Sequence, residues 1–229
     1  MDGHKLSFAP SKKLVIAGFA AACAITCVAS AALAQKGEPM IAIEQMDIGK
    51  PPAGFEFART GQGGPGQWTV VSDPTGGGGR AIEQSSTDRT DYRFPLAIST
   101  ATSIKNGSVA LRFKAVAGKV DQAAGIVIRL LNADNYYVVR ANALEDNVRF
   151  YRIVKGRREQ LAGANIKVSS NEWHTLALKA AGEQFTVTYD GKELFTTKDR
   201  TFAGAGKIAL WTKADSVTRF DQIKINILP

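Results

Sequence analysis

The sequence predicts an all-β protein, a two-sheet antiparallel jelly-roll sandwich that follows an N-terminal signal segment. From Gln67 onward, short runs rich in β-branched and aromatic residues are separated by turn residues. No stretch after residue 34 keeps the apolar spacing of a helix. Many short strands with one apolar face each must pack two sheets together or close into a barrel, and we favour the sandwich.

Alternation along individual runs identifies the faces of these strands. Val109, Leu111 and Phe113 fall on one side of the run 107–116. Residues 184–197 alternate in the same way, and Asp190-Gly191 within them supplies the positive φ angles of a two-residue hairpin turn. The other predicted strands are 68–71, 80–84, 92–98, 124–131, 136–143, 147–154, 173–181, 207–213 and 217–228.

The first 34 residues have the features of a secretory signal. Three lysines precede the uncharged run 14–34, which ends in Ala32-Leu33-Ala34. A basic start, an apolar segment and small residues at the end are typical of a signal peptide, here cut near Ala34. The run is also long enough to span a bilayer, so an uncleaved anchor is the alternative. We therefore expect a periplasmic or secreted protein without a membrane span in its mature chain.

The mature chain has no thiol chemistry, because Cys23 and Cys27 both lie in the signal. We predict an irregular arm over residues 35–66 and the sandwich domain over 67–229. Cleavage lowers the formal net charge from +8 to +6, because it removes three lysines and one aspartate. The positive charge is moderate and dispersed, and its densest cluster, 155–158, is too short to indicate nucleic-acid binding.

Motifs for cofactors and metals are weak. His174 is the only histidine after the signal, and without cysteines a zinc site is nearly excluded. Residues 61–66 match the spacing of a dinucleotide fingerprint, but a proline and a strand follow where a helix is needed, so we interpret them as a loop. No cofactor is predicted. Calcium held by backbone oxygens with Asp134, Asp146 or Asp215 is left open.

A polar cluster stands out in the predicted hairpin 136–154. With a two-residue turn at 145–146, Arg140 would pair with Tyr151 and Asn142 with Arg149, and all four would share one face. Planar donors beside an aromatic ring are what a sugar site uses. The alternative is an ordinary solvated sheet face, which Arg and Tyr cover by stacking and with their aliphatic stems.

Trp211 is a second candidate for sugar contact. It alternates with Ile208 and Leu210, so it should point away from the core together with Ala209 and Lys213. An outward indole could stack on a sugar ring, and an indole that bridges the sandwich edge is the alternative.

Four segments occur in an order that resembles a known superfamily: AGIVIRLLNADNYYVVRANALEDNVRFYRI, NEWHTLALKA, YDGKELFTT and GAGKIALWTKADSVTRFDQIKI. Over residues 107–228 the chain resembles the concanavalin A-like lectin/glucanase superfamily, and within it the bacterial exported 3-keto-disaccharide hydrolase domain family. The resemblance implies carbohydrate contact on the concave sheet or its rim. The matching positions are Arg129, Asn135, Tyr137, Arg140, Asn142, Glu145 and Trp211.

Three functions follow as hypotheses. The leading one is an exported carbohydrate-binding jelly roll that contacts a sugar or glycoside through a polar and aromatic sheet face. The second is a glycoside-acting hydrolase with Glu145 or Asp215 as acid or base, although the Glu-x-Asp-x-Glu strand of jelly-roll glucanases is absent. The third is a non-catalytic structural or interaction module of the cell envelope. Nucleic acid is not an expected partner of any of them.

Overall fold

The computed structural model describes Met1 and residues 40–228, so the predicted signal beyond Met1 and residues 35–39 lie outside the described residues. Between residues 40 and 228 the chain forms one short 3-10 helix, Ile43–Gln45, and fourteen strands. The strands are β1 (Phe55–Gly61), β2 (Trp68–Ser72), β3 (Arg80–Gln84), β4 (Arg93–Ile104), β5 (Asn106–Ala117), β6 (Ala123–Asn132), β7 (Asn135–Asn142), β8 (Asn147–Val154), β9 (Arg157–Asn165), β10 (Trp173–Ala181), β11 (Gln184–Tyr189), β12 (Lys192–Lys198), β13 (Gly206–Trp211) and β14 (Val217–Leu228). No helix in this part of the chain is long and apolar enough to cross a bilayer.

The strands form two sheets of seven strands each. The front sheet has the order β1-β4-β13-β6-β7-β8-β9, and the back sheet has the order β12-β11-β10-β5-β14-β3-β2. Neighbouring strands run antiparallel, as in the pairs β7–β8, β13–β6 and β14–β5. Strands β13 and β14 are the last two in the sequence, yet each lies between other strands of its sheet. This connectivity is that of a jelly roll. The predicted two-sheet antiparallel sandwich is confirmed.

Two strands depart from the sequence prediction. Strand β1 lies within the segment 35–66 that we predicted as an irregular arm, and β9 follows β8 where no strand was predicted. Both are edge strands of the front sheet. An edge strand pairs on one side only and buries little apolar surface, so its apolar alternation is weak; β9 shows this as a mostly exposed pattern.

The main core lies between the two sheets. The back sheet contributes side chains such as Leu111 and Phe113, and the front sheet contributes Val139 and Phe150, all buried. Phe150 packs on Phe185 with ring centroids 5.0 Å apart. Each fully buried side chain of this size stabilises the fold by roughly 1.5–3 kcal/mol relative to exposure. This core stabilises residues 40–228 without any disulfide, because that part of the chain contains no cysteine.

A second apolar cluster, the front cluster, covers the other face of the front sheet. Its members include Phe94 and Leu96 on β4, Tyr136 on β7 and Trp211 on β13. Gly125 makes room for it, because a Cβ there would lie 3.1 Å from Cε3 of Trp211. The front sheet is therefore buried on both faces, unlike the half-exposed sheet of a simple sandwich.

Tyr92 closes one end of the front cluster. Its ring packs edge-on against Phe94, with centroids 4.8 Å apart. Its hydroxyl donates to the carbonyl oxygen of Gly156 at 3.0 Å and accepts the backbone N–H of Arg158 at 2.8 Å. Tyr92 thus joins the start of β4 to the β8–β9 hairpin across the concave face.

Candidate functional site

The hairpin of β7 and β8 keeps the predicted face, but its register differs from the prediction. Arg140 pairs with Arg149 and Asn142 pairs with Asn147, so the loop has four residues, not two. The side-chain oxygen of Asn142 accepts the N–H of Leu144 at 3.0 Å, which stabilises this longer loop. The pairing is shifted by two residues relative to the prediction. A shift by an even number leaves each side chain on the same face of the sheet, so the four predicted polar residues still share one face. The opposite face of both strands lies in the main core.

Arg140 is the centre of this face and is only 4% exposed. Its guanidinium donates to Glu145 Oε2 at 2.7 Å, to the hydroxyl of Tyr151 at 3.2 Å, and to Asn147 Oδ1. Its Nε is buried and has no hydrogen-bond partner among the described residues. Burial raises the pKa of Glu145, but Arg140 and Asn147 outweigh it and hold the pKa below its ordinary value. Glu145 is therefore ionised at neutral pH and its side chain is 44% exposed.

A second ion pair lies behind Arg140. Lys213 Nζ is 2.6 Å from Asp121 Oδ2 and 3.3 Å from Asp91 Oδ1. Asn142 donates to the other oxygen of Asp121. Burial raises the pKa of Asp121, whereas the pKa of Lys213 is raised because its two carboxylate partners outweigh burial.

These side chains form one polar network on the front face of the sheet. It reaches solvent at the exposed carboxylates of Asp91 and Glu145. The members of the network are Asp91, Asp121, Arg140, Asn142, Glu145, Asn147, Tyr151 and Lys213.

Arg149 extends this face onto the edge strand β9. Its Nη2 donates to Asn165 Oδ1 at 2.6 Å. A Cβ at Gly163 would lie 2.4 Å from Cδ of Arg149, so the glycine lets the side chain lie flat across β9. Arg149 is half-buried, and its backbone pairs with that of Arg140 in the β7–β8 ladder.

Two of the predicted sugar contacts are instead buried structural groups. Tyr137 lies in the main core, and its hydroxyl donates to Asp199 and accepts the N–H of Phe202 at 3.0 Å. Burial, followed by Asp199, raises its pKa to about 12. Arg129 is 1% exposed and donates to the backbone carbonyls of Lys105, Phe202 and Gly182. At Arg129 strand β6 is irregular, with a break in register after Ile128 and a φ of +50°.

Trp211 faces away from the main core as predicted, but it does not reach solvent. It is 0% exposed and stacks on Phe94, with ring centroids 5.2 Å apart. Its ring is therefore unavailable for stacking on a sugar. Asn135 is the first residue of β7, where its side chain donates to Asn132 and accepts the N–H of Lys155. Its side chain therefore ties the β6–β7 turn to the β8–β9 turn.

Asp215 is a structural carboxylate. It is 3% exposed and accepts the backbone N–H groups of Lys119, Val120 and Asp121 at 2.8–3.0 Å. Burial raises its pKa, but these hydrogen bonds outweigh burial and lower it. A proton donor for glycoside cleavage needs a raised pKa, and neither Glu145 nor Asp215 has one.

Metal-binding groups do not converge within residues 40–228. No three His, Cys, Asp or Glu side chains in this part of the chain could hold a metal ion. His174 is instead hydrogen-bonded to Asp190 at 2.8 Å and to the carbonyl oxygen of Ser169 at 3.1 Å. The residues considered for calcium, Asp134, Asp146 and Asp215, form no such group.

Four members of the polar network were not among the predicted site residues: Asp91, Asp121, Asn147 and Lys213. The sequence did indicate the direction of Lys213, because this residue continues the outward alternation of Trp211. Nothing in the sequence indicated Asp121, because this residue lies in a short loop before β6. It reaches Lys213 only through the pairing of β6 with β13.

A family model decides the relationship of the chain to known proteins. Residues 95–228 match the model described as galactocerebrosidase, C-terminal lectin domain. The chain belongs to this lectin-domain family. The match covers β5 to β14 and most of β4, and every member of the polar network except Asp91 lies inside it. No curated protein matches the chain in a sequence comparison.

Solved structures agree with the lectin-domain family in fold. Carbohydrate-binding module CBM66 from Bacillus subtilis aligns with a TM-score of 0.60 at 17% identity, over 74% of this chain and 94% of that one. The β-glucanase of Bacillus licheniformis aligns with a TM-score of 0.54 at 13% identity, over 85% and 100%. A Bacillus subtilis protein of unknown function with a galectin-like fold gives 0.52 at 8% identity, over 75% and 89%. The resemblance to the concanavalin A-like superfamily is confirmed as a fold relationship.

Proposed function

We propose that this protein is an exported, periplasmic or secreted, carbohydrate-binding module without catalytic activity. Sugar hydroxyls would bind at the solvent-facing end of the polar network, between Glu145 and Arg149. Membership in a lectin-domain family supports the ligand class. The single observation that carries the site is the pair of Arg140 and Glu145, joined at 2.7 Å with the carboxylate open to solvent.

The chemistry of this pair suits vicinal hydroxyl groups. The exposed carboxylate of Glu145 accepts hydrogen bonds from hydroxyls, and Arg149 can donate to their oxygens. Arg140 is fixed by Tyr151 and Asn147, so it holds Glu145 in place before a ligand arrives. A pre-formed arrangement loses little conformational entropy on binding. Recognition is expected to depend on hydroxyl geometry, because Trp211 is unavailable for stacking.

The test uses the protein purified after export and a panel of neutral di- and oligosaccharides. Saturation-transfer proton NMR detects binding, and the anomeric signals of the same samples report any turnover. Glu145→Gln should weaken binding by about tenfold to a hundredfold, the effect of losing one charge-assisted hydrogen bond of about 1.5–3 kcal/mol. The matched control is Glu183→Gln, the same change at an exposed position in the β10–β11 turn.

Two outcomes would contradict the proposal. Unchanged affinity in Glu145→Gln would place sugar binding elsewhere on the protein. New anomeric signals from the wild-type protein would show that it is an enzyme.

A further inference from the structure

We propose that the β8–β9 hairpin forms a second subsite, which binds the carboxylate or sulfate group of an acidic glycan. This inference rests on the proposed function for its ligand class but uses different residues. The subsite is the hairpin cavity, a surface cavity of about 400 Å³ at the tip of this hairpin. The cavity is lined by Arg152, Val154, Lys155, Arg157, Arg158 and Glu159.

The charge of the hairpin cavity is strongly unbalanced. Arg152 is neutralised, because it contacts both oxygens of Glu159 at 2.9 Å and Asp199 at 2.8 Å. Lys155, Arg157 and Arg158 form no ion pair with any described residue. Three cations therefore remain uncompensated around a cavity whose one carboxylate is already engaged.

Arg158 is held in a fixed position. Its guanidinium lies over the ring of Tyr151, 4.6 Å from the centroid, and 5.2 Å from that of Phe94. Its Nη1 is buried and lacks a hydrogen-bond partner among residues 40–228. A stacked, partly buried guanidinium that is short of an acceptor is suited to bind a planar or tetrahedral oxyanion.

An exposed aromatic ring lies next to these cations. Tyr92 is 38% exposed, and its hydroxyl is bound to Gly156 and to the N–H of Arg158. Its sequence neighbour Asp91 belongs to the polar network through Lys213. Tyr92 therefore lies between the sugar site proposed above and the hairpin cavity, where one ring of a bound chain could stack on it.

Acidic glycans fit this surface better than other polyanions. The cavity has the size of a small-molecule site of a few hundred Å³, and its lining includes Lys155, Arg157 and Arg158. A nucleic-acid surface would need a longer basic track, and a membrane surface would need more cations on one face. Uronates and sulfated sugars share the required chemistry, which is an oxyanion on a ring with hydroxyls.

The experiment measures affinity by calorimetry at 50 and 150 mM NaCl for the protein purified after export. The probes are an oligogalacturonate hexamer, a sulfated hexasaccharide and a neutral hexasaccharide, with single-stranded oligothymidylate and phosphatidylglycerol vesicles as other polyanions. We expect at least one acidic glycan to bind about tenfold more tightly than the neutral one, and its advantage to shrink at the higher salt. The affinities of the oligogalacturonate and the sulfated hexasaccharide are then compared. The tighter of the two identifies whether the subsite takes a carboxylate or a sulfate group.

Variants separate a built subsite from diffuse charge. Lys155→Gln combined with Arg157→Gln should remove the tenfold advantage, whereas Lys179→Gln combined with Lys192→Gln, the control with two exposed back-sheet lysines, should not. Arg158→Lys should weaken acidic-glycan binding at unchanged net charge, because lysine cannot reproduce the stacked guanidinium. Equal loss in both double variants would overturn the subsite.

The outcomes also separate this inference from the proposed function. Neutral and acidic glycans of equal affinity would overturn the inference and leave the function standing. No binding of any glycan would overturn both. Binding of oligothymidylate or vesicles in preference to glycans would show that the hairpin serves another polyanion. Aggregation of the Lys155→Gln and Arg157→Gln variant with unchanged glycan affinity would show that the charges only protect an exposed sheet edge.

Discussion

The hydroxyl oxygens of Thr60 and Tyr136 lie 2.7 Å apart, although β4, β13 and β6 separate β1 from β7 in the front sheet. In a flat sheet, four strand spacings of about 4.8 Å would hold the two strands about 19 Å apart. The front sheet is therefore curled until its β1 edge meets β7. Thr60 also donates to the carbonyl oxygen of Ala133 in the β6–β7 turn. The face of the front sheet that bears the front cluster is closed at this point.

Replacing Thr60 with valine tests this closure. Thr60 is 0% exposed, so the change leaves the hydroxyl of Tyr136 and the carbonyl of Ala133 without this partner. We expect the free energy of unfolding, measured in urea, to fall by about 1–3 kcal/mol. Thr186→Val is the control, because the hydroxyl of Thr186 is bonded only at the surface. A similar small effect of both changes would show that the contact contributes little.

Replacing Trp211 with phenylalanine separates its two predicted roles. Because Trp211 is buried against Phe94, the change should lower the free energy of unfolding, by less than the about 3–5 kcal/mol typical of Trp→Ala. Sugar affinity should remain within twofold of wild type. Chemical denaturation and the NMR binding assay measure the two quantities. Loss of affinity at unchanged stability would restore the stacking role that the sequence suggested.

The ion pair of Asp121 and Lys213 should show strong coupling. Lys213→Met leaves Asp121, which is 0% exposed, without its closest cation, and should cost about 3–5 kcal/mol. Asp121→Asn added to that variant removes the orphaned charge and keeps an acceptor for Asn142, so it should recover a large part of the loss. Urea unfolding of the two single variants and the double variant completes the cycle. Additive losses would show that the two groups act independently.

Asp73 predicts a specific dependence of stability on pH. It is 2% exposed and contacts Lys114 at 2.5 Å and Arg219 at 2.9 Å. Burial raises its pKa, but these cations and Thr75 outweigh burial and hold the pKa well below its ordinary value. Because the folded pKa lies below the unfolded pKa, the carboxylate stabilises the fold fully above about pH 4 and loses this effect as pH falls toward the lowered pKa.

Asp73→Asn should therefore be costly at neutral pH and less so in acid. We expect a loss of about 3–5 kcal/mol at pH 7, and a difference from wild type that narrows steadily below about pH 4. Thermal unfolding between pH 2 and 8 measures it. Asp47→Asn, at an exposed position, is the control. A difference that stays constant with pH would mean that Asp73 acts through packing and not through its charge.

The alternation of apolar residues predicted most of the sandwich because each central strand has a face in the main core. Strand β8 has the predicted bounds, and the faces of Arg140 and Phe150 are those expected. Alternation alone does not reveal whether the other face is open. Trp211 and Tyr151 looked like surface residues, and only the curling of the front sheet buries them.

The candidate site was predictable in part for the same reason. The hairpin brings together three residues that are close in sequence, Arg140, Asn142 and Glu145. It does so in every pairing register that keeps their side chains on the same face. Asp121 and Lys213 join them through strands that are distant in the chain. Arg129 was expected at the sugar site only from the family resemblance, and its burial at a local irregularity of β6 is not recorded by any periodic pattern.

The position of β14 has a consequence for how the protein is made. This last strand, Val217–Leu228, lies inside the back sheet between β5 and β3. Until it leaves the ribosome, the β2–β3 pair has no partner strand on its inner side, and the central ladder of that sheet does not exist. Folds that depend on such distant pairings form slowly. A nascent chain of this design therefore cannot complete its back sheet before β14 has been synthesised.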